Sequence, residues 1–95
     1  MFEKFAYMIT MTNQKPLNEE IIKAHVMHLK KLDEQKRLIF CGPYVNEAGG
    51  IVIIYAKNLD EAEVIAQDDP FIHQGFKTYK IIEVEVAHKG NHYLI

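Results

Sequence analysis

Residues 21–32 read IIKAHVMHLKKL, with the apolar spacing of an amphipathic helix. At about 100° per residue, Ile21, Ile22, Val26, Leu29 and Leu32 gather on one face. His25 falls near the middle of that stripe, between Ile21 and Leu29. His28 stands on its shoulder, while Lys23, Met27, Lys30 and Glu34 point away. A helix with such a face needs a surface to pack on, and the flanking segments supply one. Before it lies a strand-like run from Phe2 to Thr12, and after it LIFCGPYV, residues 38–45, a short strand cut by Gly42-Pro43. The helix begins at Asn18, a good cap, with Glu19 and Glu20 at its positive end. It runs to about Lys36, where Lys36 and Arg37 suit the negative end, although no glycine marks the stop.

The remaining segments continue the alternation. NEAGG, from Asn46 to Gly50, is a hairpin-type turn, and Ile51 to Ala56 (IVIIYA) is a third strand. Leu59 to Gln67 is a second helix opened by Asn58 or Asp60. DDPFIHQG is a turn with a short helical piece, and Thr78 to Val86 is a fourth strand. The order β-α-β-β-α-β is the ferredoxin-like split βαβ arrangement of an α+β domain, a four-stranded antiparallel sheet with two helices on one face. Residues 1–95 read as a single domain of this kind. Alternation along strand one sets Phe5, Tyr7, Ile9 and Met11 against Ala6 and Met8. In strand three Ile51, Ile53 and Tyr55 oppose Val52 and Ile54. Both faces are apolar, yet helices cover only one. The other calls for a partner, and the simplest is a second copy of the sheet in a two-fold homodimer. The alternative cover is the tail HKGNHYLI.

Composition excludes several functions. The chain is 48% hydrophobic and 25% charged, which argues against disorder, and its net charge of −2 argues against nucleic-acid binding. The central strand IVIIYA also lacks the aromatic and basic set of RNA-recognition domains. A single cysteine, Cys41, forms no internal disulfide and reads as a small buried residue. There is no signal-peptide pattern and no apolar run near the roughly 20 residues of a membrane span. A cytoplasmic protein without membrane or nucleic-acid partners is expected. His25 and His28 form a two-ligand pair with no third group nearby, so no metal site is expected. No phosphate-binding glycine loop is present.

Two residues could carry chemistry, each with an ordinary structural reading beside the functional one. His25 is either a core histidine with its nitrogens bonded to backbone or a general base lining a pocket. A carboxylate within reach would favour the second, since it fixes the tautomer and steadies the imidazolium. Asp69 precedes Pro70 and is a natural N-cap; it is also the best-placed carboxylate, with Asp68 as its neighbouring substitute. Gly42 and Pro43 mark either a bulge and open pocket wall or a plain strand end. Tyr7 and Tyr44 are further pocket groups by strand position.

AHVMHLKKLDEQKRLIFCGP, followed by IAQDDPFIHQGF, resembles the YCII-related family. Its pattern is a helix histidine, a Gly-Pro after the next strand, and a carboxylate-proline-aromatic turn with a glycine beyond. His25, Gly42, Pro43, Asp69, Pro70, Phe71 and Gly75 match it in order. The resemblance implies a dimeric α+β barrel with a His–Asp pair in a pocket of each subunit, with His25 rather than His28 as base and Asp69 as its orienting partner. One relative of that family is a dehydrochlorinase of chlorinated hydroxyhydroquinone. The chain departs from the pattern at QKRL, where a glycine commonly ends the first helix, and in its tail, which lacks the expected aromatic ending.

The expected function is therefore a small cofactor-independent enzyme. It would transfer a proton on a small organic substrate by elimination, isomerisation or hydrolysis. The alternative is a non-catalytic dimeric module that binds a small ligand or stabilises a partner.

Overall fold

The computed structural model describes residues 4–94. Its elements are β1 (Phe5–Asn13), α1 (Glu19–Glu34), β2 (Leu38–Pro43), β3 (Gly50–Tyr55), α2 (Leu59–Asp68), α3 (Pro70–His73) and β4 (Lys77–Glu85). Phe2 and Glu3, expected to begin the first strand, lie outside the described residues. The strands form one antiparallel sheet in the order β2-β3-β1-β4. This is the ferredoxin-like topology, with the one-turn helix α3 added between α2 and β4.

The sheet alternates as its sequence dictates. Tyr7 pairs with Ile54 and Ile9 with Val52, and these four turn to the helices and are almost completely buried. Against them pack Ile21 and Leu32 of α1, Ala62 and Ala66 of α2, and Phe71 of α3. Burying a side chain the size of Ile54 contributes about 1.5–3 kcal/mol. Ala62 and Ala66 share one helical face and are buried at 0% and 1% exposure, so α2 lies close on the sheet.

The opposite sheet face stays open. Met8 is flanked by Ile53 on one side and Ile82 on the other, and Phe40 pairs with Ile53 in the same row. Phe40 and Ile82 remain 59% and 39% exposed. Among the described residues the tail leaves Phe40 and Ile82 exposed, and its own Tyr93 and Leu94 are exposed as well.

Both long helices start on asparagine. Asn18 accepts the Ile21 N–H at 2.9 Å, and Asn58 accepts that of Glu61 at 2.9 Å. The missing glycine after α1 has a clear resolution. Lys36 itself adopts the left-handed conformation, φ 59°, and lets the N–H groups of Lys36 and Arg37 bond back to the carbonyls of Asp33 and Leu32. That is a Schellman ending built on a residue with a Cβ, at a local cost of about 1 kcal/mol. Gly49 is required where it stands, since its φ is 110° and a Cβ would fall 2.2 Å from the Met11 carbonyl oxygen.

Gly42 and Pro43 do not break β2. Gly42 pairs with Ile51 and Pro43 with Gly50, while the register shift falls earlier, between Leu38 and Phe40. Because β2 is an edge strand, the N–H that proline lacks can point away from the ladder. A Cβ on Gly42 would meet nothing within 4 Å, so this glycine is not serving a close backbone approach.

Candidate functional site

The α1 stripe divides in two. Ile21 and Leu32 are buried against the core, whereas Ile22 and Val26 are 43% and 39% exposed and overhang a cleft. His25 stands between these groups and turns toward α3. Asp69 occupies the junction of α2 and α3, closing the first helix and capping the second. Its Oδ1 accepts the Phe71 N–H at 3.0 Å and lies 2.8 Å from His25 Nδ1. The carboxylate is 2% exposed. The imidazole also stacks on Phe71, with ring centres 3.9 Å apart and planes inclined by 16°.

That geometry has a chemical consequence. A carboxylate only accepts hydrogen bonds, so the proton between the two residues sits on Nδ1 and the lone pair on Nε2. No other hydrogen bond engages the His25 ring among the described residues. The Pro70 ring and the Asp69 cap force a tight turn after α2, and this carries the carboxylate under α1. Capping and orienting are thus done by one oxygen.

His25 forms part of the wall of a cleft of about 390 Å³ between α1 and the β2–β3 end of the sheet. Met11, Leu17, Val26, Leu29 and Val52 make it strongly apolar. Gly42 and Pro43 line it as well. The two tyrosines do not. Tyr7 is fully buried beneath the helices and donates to Glu83 Oε2 at 2.8 Å. Burial and that carboxylate push its phenol up to about 12, so it remains a proton-bearing structural donor. The Tyr44 N–H donates to the Gly49 carbonyl at 3.0 Å, which closes the β2–β3 turn outside the cleft. Strand position placed both tyrosines on the right sheet but not at the open space.

One polar residue of the wall was not anticipated. Lys77, the first residue of β4, is 8% exposed and lines the same cleft. Its Nζ stands 4.3 Å from the centre of the Phe71 ring. Burial lowers the ammonium's pKa, and the nearby Asp69 charge opposes that shift. The signal was present in the alternation of β4: Lys77 shares its face with Tyr79 and Ile81. Starting the strand at Thr78 concealed it.

His28 belongs elsewhere. With Arg37, Glu61, Asp68 and His73 it lines a larger cleft of about 610 Å³ on the outer side of α1 and α2. Burial lowers the His28 pKa, chiefly against the pull of Asp69. Arg37 and Glu61 satisfy one another there as an ion pair. Of the expected site residues only Asp68, the substitute carboxylate, borders this cleft, while His25, Asp69, Gly42, Pro43, Tyr7 and Tyr44 do not. Among the described residues, no three His, Cys, Asp or Glu side chains converge as metal ligands would. No helix among them is long and apolar enough to cross a membrane.

Comparison with known proteins follows the same outline. The chain is 36% identical over 76 residues to the uncharacterized protein YjpA of Bacillus subtilis (strain 168), covering 80% of this chain and 88% of that protein. In fold it is similar to the 5-chloro-2-hydroxyhydroquinone dehydrochlorinase TftG from Burkholderia phenoliruptrix AC1100, solved with 2,5-dihydroxybenzoquinone. The TM-score is 0.73 at 18% identity, over 90% of this chain and 98% of that one. Muconolactone isomerase follows with a TM-score of 0.65 at 7% identity, over 87% and 88% of the two chains. A mutant of MhuD, solved with two manganese protoporphyrin IX per active site, gives 0.51 at 13% identity, over 88% and 95%. These likenesses give the fold class, the ferredoxin-like dimeric α+β barrel. The YCII-related domain matches residues 4–85, nearly the whole described chain, and the protein therefore belongs to the YCII-related family.

Proposed function

We propose that this chain is a cofactor-independent enzyme that transfers a proton on a small organic substrate, with His25 as base and Asp69 as its orienting partner. The observation that carries the reading is the 2.8 Å contact between His25 Nδ1 and the buried Asp69 carboxylate, at the wall of an apolar cleft. Nε2 takes a proton from a C–H or O–H of the substrate, and the bond's electron pair stays on the substrate. In elimination that pair expels a leaving group such as chloride, which departs with its own bonding pair. In isomerisation the imidazolium returns the proton to a different carbon. Asp69 steadies the imidazolium in either case. Hydrolysis would use the same base on a water molecule.

The structural relatives support this class of chemistry and supply the first compounds to try, 5-chloro-2-hydroxyhydroquinone and muconolactone. The direct test of the pair is imidazole nitrogen NMR near neutral pH. The wild type should show the Nδ1–H tautomer, and Asp69→Asn should move population toward Nε2–H. Identical spectra in the two proteins would reduce Asp69 to a helix cap.

The same reading includes a homodimer formed by two open sheet faces, supported by the uncovered row of Phe40, Ile53, Met8 and Ile82. Ile53→Glu would bring like charges together across the two-fold axis in an apolar interface. At micromolar concentration the wild type should sediment as a dimer and Ile53→Glu as a folded monomer. A wild-type monomer would end the proposal.

A further inference from the structure

We propose that Lys77 is the anion-binding residue of this cleft, and that its ligand is a small, mostly apolar molecule carrying one anionic oxygen, as a carboxylate, phenolate or enolate. The cleft wall holds a single ammonium, with the His25 imidazole as the other basic group in a mostly apolar lining, and no acidic side chain among the described residues borders it. Lys77 is buried, yet among the described residues no hydrogen bond or ion pair satisfies its Nζ, which stands over the Phe71 ring. The nearest carboxylate, Asp69, directs its Oδ1 to His25 and to the Phe71 N–H. Asn13, opposite Lys77 in the β1–β4 ladder, has a buried Oδ1 that also lacks a partner. A bound anionic oxygen would supply the ammonium with the acceptor it lacks, whereas Asn13 Oδ1, itself an acceptor and not part of the cleft wall, takes no part in holding it.

The position relative to His25 gives the ammonium a use. His25 stacks on one face of Phe71 at 3.9 Å and Lys77 Nζ lies 4.3 Å from the ring centre on its other side. Because both side chains line the same cleft, a ligand lying past the edge of that ring can touch both. When Nε2 removes a proton from the carbon beside a carbonyl, the C–H pair becomes a C=C bond. The carbonyl π pair moves to oxygen, and the enolate oxygen meets the ammonium. Such a charge, held in place away from water, favours the form in which negative charge has developed. This catalytic use rests on the reading of His25 as base; the binding of an anion does not.

The test uses para-nitrophenol and its neutral analogue para-nitroanisole as probes of the intact chain. The wild type should bind the nitrophenolate at least about tenfold more tightly than the anisole, and the same preference over the neutral phenol would lower the bound phenol's pKa by about one unit, seen in its yellow absorbance. Lys77→Met should abolish the preference and Lys77→Arg should keep it. Should Lys77→Met fail to fold, the wild-type preference and its survival in Lys77→Arg carry the decision. Equal affinity for the two probes, no binding of either at millimolar concentration, or a preference that persists in Lys77→Met would overturn the assignment. His25→Gln separates the two proposals. A preference retained there places the anion on Lys77 whatever the nitrogen NMR says of the base, and a preference lost there assigns the anion to the imidazolium and overturns the role of Lys77.

Discussion

The His25→Gln variant is expected to stay folded while losing about a hundred- to ten-thousand-fold in kcat/KM for proton transfer, the usual contribution of a positioned base. Glutamine has no basic lone pair at neutral pH, but its amide can still donate to Asp69. The buried carboxylate, 2% exposed, then keeps a second donor besides the Phe71 N–H. What the variant loses in structure is the stacking on Phe71, worth about 0.5–1.5 kcal/mol for an aromatic pair. The assay would follow chloride release from 5-chloro-2-hydroxyhydroquinone and isomerisation of muconolactone, with melting recorded on the same samples. A variant as fast as wild type would remove His25 from the reaction. A rate loss that merely tracks unfolding would favour the non-catalytic binding module.

The second large effect belongs to Asp69→Ala. Its Oδ1 caps α3 through the Phe71 N–H and accepts from His25 Nδ1, so alanine removes two interactions at one buried point. Losing an N-cap costs about 0.5–2 kcal/mol. An unpaired buried donor costs about 1–3 kcal/mol. Because the two share one oxygen they do not simply add. The expected loss is about 2–4 kcal/mol, or roughly 10–20 °C in Tm for a domain of this size. Asp69→Asn keeps an oxygen for the Phe71 N–H and should melt within about 1 kcal/mol of wild type. The pair of variants thus separates the cap from the tautomer. If Asp69→Ala melts within a few degrees of wild type, the carboxylate is not holding the α2–α3 junction.

Where local rules were strong, the chain was readable. The stripe of α1, the caps at Asn18 and Asn58 and the alternation of β1 and β3 each follow from the geometry of one element. They need no knowledge of what that element meets. Asp69-Pro70 could be read as a cap for the same reason. Reading failed where a neighbour decides the outcome. Lys36 takes a left-handed conformation that its type disfavours, because two backbone hydrogen bonds at the end of α1 depend on it. Gly42-Pro43 looked like an interruption, yet an edge strand tolerates proline, and being an edge is a property of the sheet order.

The sequence by itself determined the order of elements, the face each one buries and the chemical identity of the candidate groups, since periodicity and capping act within a few residues. Only the tertiary structure decided which of those groups meet. His25 and Asp69 are 44 residues apart and become partners because the turn at Pro70 passes beneath α1. Tyr7 is withdrawn from the cleft because its strand lies under the helices, and Lys77 enters it because β4 begins one residue earlier than its composition indicated. Local sequence sets a side chain's direction from its own backbone. The packing of helices on the sheet sets what lies at the end of that direction.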